Sequence, residues 1–403
     1  MIELSTKSLF FVLLLLLAPF VLRYRWKGRK TVFLILNIAV ISLAAGSLMQ
    51  LAITAVWILI PFLFVRFVKK QQKLQPVLII WLIASFVYLA GYGFLFSVLH
   101  LDLILPFKIL GLSYFLFREI DYVLQMPYLK EQGYACDLTD YLNYVLSFYT
   151  LLAGPILRYK AFADDFHKDE DQKGYIPIAK QELFTLINRV VNGYFKVYVI
   201  SAILDHYARY WFDGLKSHSS MLHAIVAFCI FAFFNCWFIY FNFSGYCDIV
   251  IGAAGLAGLE IHENFNRPYL SCNVIEFWNR HHITLSEWIR DYIFMPSYKL
   301  LLSGPLAKAA VAAQAIALFF TFFVAGIWHG TTIDYVMYGF FQGLGIVVSL
   351  LYREKRKKLL GKQKNKAYEN NRAVIWITRI MTWSYISLTF SFTGYPVMPL
   401  FLR

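Results

Sequence analysis

Apolar residues along the chain fall into runs separated by short polar segments, and most of the runs have the length that crosses a bilayer, about 20 residues. This pattern predicts an all-α polytopic membrane protein with about ten transmembrane helices, folded as a single membrane-embedded domain over residues 1–403. The runs lie near residues 8–22, 31–45, 48–68, 76–99, 141–158, 182–204, 221–241, 308–327, 331–352 and 373–394.

The composition favours the same class. Hydrophobic residues make up 59% of the chain and charged residues only 15%, and the mean hydropathy is +0.57. A soluble domain usually carries about 25% charged residues. The chain therefore has too little polar surface to cover itself in water.

The net charge of +14 is explained by where the basic residues stand. They cluster at the ends of apolar runs, as the positive-inside rule requires of cytoplasmic loops. Basic clusters follow the first and the third run, so both runs would end in the cytoplasm, which predicts an N-terminus outside it. Contact with anionic lipid is one further role, and the last cluster is also a candidate docking surface for an acidic cytosolic partner. The clusters are residues 23–30, 66–73 and 353–366.

The five cysteines predict neither a disulfide framework nor a metal site. Their number is odd and they form no C-x-x-C pair, so buried free thiols are expected. A zinc site built from His281, His282 and His329 is disfavoured, because adjacent histidines on one helix diverge. We therefore expect no bound metal and no bound cofactor.

The segment from residue 276 to 292 carries the densest polar chemistry between apolar runs. Asn273 followed by Glu276 predicts a capping box that opens an amphipathic helix running through about Ser286. On such a helix Trp278, His282 and Ser286 share one face, and the neighbouring His281 points about 100° away. An interfacial helix with aromatic anchors and snorkelling arginines is the alternative without chemistry.

His329 is the second candidate. It ends a strongly apolar run and lies between Gly326 and Gly330, which admit close backbone approach. An ionisable residue in such a run is costly and marks a functional site, and the usual histidine pKa of about 6.5 suits proton transfer. A histidine that only satisfies a backbone carbonyl is the alternative.

Other enzyme signatures are missing from the sequence. It has no G-x-S-x-G elbow, no phosphate-binding P-loop and no H-E-x-x-H. A transporter or flippase would need a matched pair of broken helices around a midplane site, and no such pair is visible. The transporter and a non-catalytic scaffold remain the alternatives from other classes.

In the motifs around these residues, the chain resembles the membrane-bound O-acyltransferase (MBOAT) family. The similarity is to its bacterial branch, which contains the alginate O-acetylation protein and the teichoic-acid D-alanyl transferase. The motifs occur in the family's order over about residues 150–330. They are Ala153–Tyr159 (AGPILRY), Phe243–Asp248 (FSGYCD), Asn264–Tyr269 (NFNRPY), Phe277–Arg280 (FWNR), His282–Ser286 (HITLS), Arg290–Tyr292 (RDY) and Gly326–Gly330 (GIWHG).

The resemblance implies a ring of ten to eleven transmembrane helices around a central tunnel. It implies His329 as the catalytic residue, acting as general base, and His282 as its partner, orienting the acyl carbonyl or the thiolate leaving group. Trp278, Asn279, Trp328 and Ser286 would contact substrate, and Arg280, Arg290 and Asp291 would brace the helix behind them. Relatives usually carry Trp where this chain has His281, which leaves open whether His281 shares the role of His282.

The reaction implied is transfer of an acyl group from a cytosolic thioester to a hydroxyl of an extracytoplasmic cell-envelope polymer, at the bacterial cytoplasmic membrane. The motifs divide between acetyl transfer from acetyl-CoA, which we favour, and D-alanyl transfer from an acyl-carrier protein. The carrier could dock on the basic segment 353–366. An extracytoplasmic esterase-like partner that completes transfer is also expected, together with membrane lipids and no nucleic acid.

Overall fold

A computed structural model gives the fold of the chain. It describes residues 22–25, 28–45, 47–68, 71–92, 109, 111–135, 137–168, 174–216, 220–304 and 306–401. Residues 8–21 of the first predicted run and residues 93–99 of the run at 76–99 lie outside these described residues. The structure is 81% helical, which confirms the all-α class.

The chain packs as two compact units. Unit 1 comprises residues 1–194 and 245–262, and unit 2 comprises 195–244 and 263–403. The prediction of one domain over the whole chain stays a prediction.

In unit 1, four helices of 16 to 20 residues precede two helices of nine residues and a last helix of 16 residues. A two-residue antiparallel pair, β1 (Tyr24–Arg25) with β2 (Gly174–Tyr175), is the sheet found in the described residues. The helices in chain order are α1 (Arg29–Ala44), α2 (Leu48–Phe67), α3 (Gln71–Ala90), α4 (Leu112–Glu131), α5 (Leu138–Leu146), α6 (Tyr159–His167) and α7 (Lys180–Phe195), with a 3-10 turn at Phe148–Thr150.

Unit 2 contains the longest helices. A π-turn at Lys196–Ile200 leads into α8 (Ser201–Gly214), and α9 (Met221–Leu256) begins in unit 2 and ends in unit 1. The following helices are α10 (Val274–Arg280), α11 (Ile283–Ile289), α12 (Met295–Leu302), α13 (Ala310–His329), α14 (Ile333–Asn370), α15 (Arg372–Phe390) and α16 (Met398–Phe401). A 3-10 turn at Pro268–Leu270 and a π-turn at Arg290–Phe294 interrupt this series.

Five helices of the described chain are long and apolar enough to cross a membrane. They lie at Leu48–Phe67, Lys73–Ala90, Met221–Leu256, Ala310–His329 and Ile333–Asn370. Each overlaps a predicted run, and Met221–Leu256 and Ile333–Asn370 extend well beyond the predicted ends. The predicted run at 141–158 is wrong as a span, because it comprises the end of the nine-residue α5, one 3-10 turn and irregular chain to Arg158.

Buried cations in unit 1 close helix ends. The Arg23 side chain donates to the carbonyls of Gly255 and Leu256, at the end of α9, at 2.8 and 2.6 Å. Arg29 donates to the carbonyl of Phe166 near the end of α6 at 2.7 Å. Both arginines are buried. The last carbonyls of a helix lack internal partners and carry partial negative charge, so these two residues of the first basic cluster stabilise the fold directly.

Two glycines let α13 and α14 cross closely in unit 2. A methyl group at Gly326 would overlap the backbone of Gly339, and one at Gly339 would lie 2.7 Å from the Phe323 carbonyl. Small residues at a crossing allow helix backbones to meet, as is common between helices in membranes. The crossing lies one turn before His329 and therefore sets the position of that residue.

Candidate active site

The predicted amphipathic helix is broken at the two adjacent histidines. Its start is confirmed, since Asn273 caps α10 by accepting a hydrogen bond from the Glu276 N–H at 2.9 Å. However, α10 ends at Arg280, His281 is extended, and His282 adopts the left-handed conformation with φ 49° and ψ 52°. The prediction of one helix through Ser286, with Trp278, His282 and Ser286 on one face, is therefore wrong.

A loop from residues 264 to 266 holds this break in place. Phe265 forms a β-bridge with His281, the Asn266 N–H donates to the Arg280 carbonyl at 2.8 Å, and the Ile283 N–H donates to the Asn264 carbonyl at 3.0 Å. Left-handed backbone is costly for a residue with a side chain and persists where surrounding contacts impose it. These bonds replace the helical ones that the break removes.

Asn264 also grips the side chain of His282. Its Oδ1 atom lies 3.2 Å from His282 Nδ1 and accepts from the Thr284 N–H at 3.2 Å and from the Thr284 hydroxyl at 2.9 Å. Asn264 is completely buried. The Phe243 ring lies at a right-angled contact to the His282 imidazole, with centroids 4.7 Å apart. Asn264 begins one of the family motifs, but the sequence pattern predicts no role for it.

His281 lies in a box of aromatic rings. Its imidazole stacks on Phe277 at 4.8 Å and meets the edges or faces of Phe265, Trp278 and Phe390 at 5.0, 5.6 and 5.5 Å. Neither imidazole nitrogen finds a hydrogen-bond partner among the described residues. Burial, together with the nearby imidazole of His329, lowers the pKa of His281 to about 3, so this imidazole is neutral at physiological pH.

His329 is the last residue of α13. Its ring lies 4.5 Å from the Trp328 ring and 5.6 Å from the Tyr338 ring of α14. Burial lowers the pKa of His282 well below its usual value, and the imidazoles of His281 and His329 lower it further. The imidazoles of His281, His282 and His329, all in unit 2, thus lie near enough to interact electrostatically, although His329 follows His282 by 47 positions in the chain.

Trp278 and Ser286 belong to a hydrogen-bond network next to the break between α10 and α11. The Trp278 indole N–H donates to Gln342 Oε1 at 3.1 Å, and the Gln342 amide donates to the Thr389 hydroxyl at 2.7 Å. The Ser286 hydroxyl donates to the Trp278 carbonyl at 2.8 Å, which ties α11 to α10. Gln342 and Thr389 had no signal in the sequence, because each stands in an apolar helix far from the motif.

Four other residues predicted for the site lie closer to the surface of the protein than the histidines at positions 281 and 282. Asn279 is exposed. Arg280 pairs with Glu276 at 2.9 Å, and Arg290 pairs with the adjacent Asp291 at 3.0 Å on an exposed part of the surface. The bracing role of Arg280, Arg290 and Asp291 and the substrate contacts of Asn279 and Trp328 stay predictions.

Among the described residues, no group of three or more histidine, cysteine, aspartate or glutamate side chains could hold a metal ion. Four cysteines lie in the described residues, and all are free thiols. Cys236 and Cys247 are buried as expected, but Cys229 is exposed and Cys272 is half-buried. Burial is therefore not a general property of these thiols.

Replacing His281 with phenylalanine should stabilise the protein. The phenyl ring fits the same aromatic box and removes two buried nitrogens without partners, whose desolvation costs about 1–3 kcal/mol per group. A rise in the thermal unfolding temperature of the purified chain in detergent would show this. His206→Phe, at an exposed histidine of α8, is the matched control and should change stability by about 0.5 kcal/mol at most. A destabilised H281F chain would contradict the prediction.

The fold and the site define a multi-pass helical membrane protein with interacting histidines in one compact unit. The chain belongs to the membrane-bound O-acyltransferase family, whose model matches residues 40–394. This confirms the resemblance drawn from the motifs.

Named relatives come from bacteria. The chain is 27% identical to the "Teichoic acid D-alanyltransferase" of Bacillus subtilis (strain 168), over 71% of this chain and 69% of the relative. It is 30% identical to the "Probable alginate O-acetylase" of Pseudomonas syringae pv. tomato, over 59% of this chain and 42% of the relative. It is 31% identical to the "Peptidoglycan O-acetyltransferase" of Helicobacter pylori, over 54% of this chain and 38% of the relative. The matched region thus spans less than half of each of these two O-acetylating relatives.

Proposed function

We propose that the protein transfers an acyl group, most simply acetyl, from a cytosolic thioester to a hydroxyl of an extracytoplasmic cell-envelope glycan or polymer. The observation that carries the proposal is that distant parts of the sequence meet in unit 2. The Phe390 ring contacts His281, the neighbour of His282, at 5.5 Å and Tyr338 at 5.6 Å, and the Tyr338 ring lies 5.6 Å from His329. The names of the relatives support acyl transfer to cell-envelope polymers.

The chemistry asks little of the protein beyond proton transfer and positioning. A thioester is already activated, so one imidazole has to take the proton of the attacking hydroxyl and a second polar group has to steady the carbonyl oxygen. Base catalysis supplies about 10²–10⁴-fold, and holding both reactants in line supplies more. Trp278, Trp328, Asn279 and Ser286 are the proposed substrate contacts, and no resident cofactor or metal is needed.

A ring of ten to eleven spans around a tunnel would let the two substrates meet from opposite sides of the membrane. The five apolar helices and the family membership support a multi-pass arrangement. We place the protein in the bacterial cytoplasmic membrane with its N-terminus outside, on the strength of the basic clusters.

The donor would approach a basic helical hairpin at the end of α14. This helix turns back at Gly361 (φ 67°), and Arg356 Nε then donates to Asn365 Oδ1 at 2.8 Å while the hydroxyls of Tyr352 and Tyr368 lie 2.9 Å apart. The exposed lysines of the hairpin are Lys355, Lys357, Lys358, Lys362, Lys364 and Lys366. Such a surface attracts either the phosphates of coenzyme A or an acidic carrier protein.

D-alanyl transfer is the second candidate reaction. The D-alanyltransferase of Bacillus subtilis aligns with a larger share of the chain than the alginate and peptidoglycan relatives do. That reaction would use an acyl-carrier protein docked on the hairpin and a teichoic-acid-like acceptor. In either reaction an extracytoplasmic esterase-like protein would complete the transfer to the final polymer.

Both histidines are expected to be essential for thioester consumption. Membranes that contain the chain and its acceptor would be supplied with labelled acetyl-CoA or with a D-alanyl carrier protein. His329→Ala and His282→Ala should each lower the rate of acyl transfer by about 10²–10⁴-fold, because each removes a proton-transfer or orienting group. His206→Ala, at an exposed histidine, is the control and should keep the wild-type rate.

The donor that is consumed decides between acetyl and D-alanyl transfer. A rate that survives loss of both histidines would contradict the proposal. Movement of polymer across the membrane without donor consumption would favour a transporter or flippase instead.

A further inference from the structure

We infer that Tyr338 is a further catalytic residue of the proposed acyl transfer. Its hydroxyl donates a hydrogen bond to the carbonyl oxygen of the thioester while His329 takes the proton of the attacking hydroxyl. The inference rests on the proposed function and adds one group to its site, and it leaves His329 as the general base and His282 as its partner. Tyr338 follows His329 by nine positions and lies outside the motifs that predicted the site.

Tyr338 lies beside His329 because two helices cross closely. It directly precedes Gly339, whose contact with Gly326 brings α14 against α13. The Tyr338 ring meets the His329 ring edge to face, with the centroids 5.6 Å apart and the ring planes at 80°. It also contacts the Phe390 ring of α15 at 5.6 Å. The crossing and the two ring contacts hold the phenol next to the proposed base.

The Tyr338 hydroxyl takes no part in the hydrogen bonding of the fold. Only 5% of the residue is exposed, and among the described residues of unit 2 it is the one buried tyrosine. Its hydroxyl makes no hydrogen bond to any described residue, whereas the half-buried Tyr385 of α15 donates its hydroxyl to the Phe341 carbonyl. Polar groups of buried residues in native proteins are almost always paired, so this hydroxyl calls for a partner outside the fold.

The hydroxyl ends in space that a small molecule can enter. The polar atoms of the described chain that are both sealed from solvent and unpaired include the two ring nitrogens of His281, but neither the Tyr338 hydroxyl nor a nitrogen of His329. Because Tyr338 and His329 make no hydrogen bond to described residues and are not sealed in, their polar atoms adjoin open space. The two rings are in contact, so one bound substrate can reach both.

The chemistry of a phenol determines which substrate atom it serves. The usual tyrosine pKa of about 10 leaves the hydroxyl protonated at neutral pH, with one hydrogen to donate. A hydrogen bond donated to the attacking oxygen would withdraw electron density from the nucleophile. A hydrogen bond donated to the carbonyl oxygen instead strengthens as negative charge develops there, and it therefore lowers the barrier. The carbonyl oxygen is the productive partner.

The reaction then follows with all atoms accounted for. As the hydroxyl oxygen of the acceptor bonds to the thioester carbonyl carbon, its proton moves to His329. The electron pair of the carbonyl double bond moves to the oxygen that faces Tyr338, which keeps its own proton throughout. When the double bond forms again, the carbon–sulfur bond breaks and His329 returns the proton to the leaving thiolate. The products are an ester and a thiol.

Tyr338→Phe keeps the ring and removes only the hydroxyl. We expect kcat for consumption of the thioester to fall by about 10²-fold while KM changes little, as for the loss of one donor to a developing oxyanion. The thermal unfolding temperature should stay at the wild-type value, because the hydroxyl makes no bond within the fold. Wild-type kcat, or a variant that no longer folds, would overturn the inference.

Tyr385→Phe is the matched control from the same unit. It also removes one phenolic hydroxyl, but that hydroxyl supports the fold through the Phe341 carbonyl. This variant should unfold at a lower temperature and keep the wild-type kcat, which is the opposite pattern to Tyr338→Phe. If both variants lose kcat to the same extent, the loss reflects packing in unit 2 and the catalytic role of Tyr338 is wrong.

The hydrogen bond itself is measurable without turnover. A donor analogue in which a methylene group replaces the thioester sulfur carries an unreactive ketone, whose ¹³C-labelled carbonyl would be followed by infrared spectroscopy on the full-length chain in nanodiscs. A hydrogen bond lowers the carbonyl stretching frequency, so the frequency should be lower in the wild type than in Tyr338→Phe. Equal frequencies would overturn the inference. A wild-type chain that consumes neither acetyl-CoA nor a D-alanyl carrier protein would contradict the proposed function, whereas an active wild type with an equally active Tyr338→Phe contradicts this inference alone.

Discussion

Gly326→Ala is expected to abolish acyl transfer although it adds only one methyl group and raises intrinsic helix propensity. The methyl group would overlap the backbone of Gly339 and come within 3.0 Å of the Tyr335 carbonyl. Backbone atoms cannot rotate away as a side chain can, so α13 and α14 must separate. His329 lies three residues further along α13, and a displacement of about 1 Å at a catalytic group can cost about 10²-fold in rate.

Gly214→Ala is the matched control for this prediction. A methyl group there meets nothing within 4 Å, and Gly214 also lies in a helix of unit 2. The acyl-transfer rate and the thermal unfolding temperature of both variants would be measured side by side in detergent. Overpacking at Gly326 should cost about 1–3 kcal/mol of stability as well. Wild-type activity in Gly326→Ala would show that the close crossing does not position His329.

Arg118→Met should prevent unit 1 from folding stably. Arg118 is completely buried and donates to the carbonyls of Val145, Ser147 and Thr150 at 2.5, 3.3 and 2.9 Å, as well as to the Thr150 hydroxyl at 2.6 Å. Val145 lies in the last turn of α5, Ser147 follows that helix and Thr150 ends the 3-10 turn, and carbonyls at the end of a helix lack partners within it. Burial lowers the pKa of Arg118 only to about 10, so the guanidinium stays charged at neutral pH.

Methionine fills a similar volume but leaves these acceptors unsatisfied. At about 1–3 kcal/mol for each unpaired buried group, the loss approaches the whole stability of a typical domain, about 5–15 kcal/mol. The yield of folded chain and its unfolding temperature report the effect. Arg209→Met, at a half-exposed arginine paired with Asp205, is the control and should change stability by less than about 1 kcal/mol. An Arg118→Met chain that unfolds at the wild-type temperature would contradict the prediction.

The hydropathy pattern and the capping residues predicted structural features that depend on residues close to one another in the chain. Five predicted runs correspond to helices long enough to cross a bilayer, and the Asn273 cap begins a helix where the sequence places it. Such features arise within one or two turns of helix, so the local pattern contains the information. The run at 141–158 failed, because apolar content alone does not distinguish a spanning helix from irregular chain whose carbonyls a buried arginine satisfies.

The motifs predicted His282 and His329 as the site histidines, but they did not predict the surroundings of either residue. Nothing in the helical pattern from residue 274 to 289 indicates a break, since its polar and apolar positions continue through His281 and His282. The break exists because Phe265 and Asn264 bond across to the backbone of these residues. Asn264 precedes His282 by 18 positions, beyond the reach of any periodicity within one element.

The sequence by itself determined the class of this protein, the helices that are apolar and long enough to cross a membrane and the two histidines of the proposed reaction. Only the tertiary structure decided how those histidines are presented: the left-handed backbone at His282, the contact of its Nδ1 with Asn264 and the glycine crossing near His329. The physical reason is the range of the interactions. Hydrophobicity and helix capping act between near neighbours, whereas a backbone break and the partner of a buried side chain are set by hydrogen bonds between segments that meet only after the chain has folded.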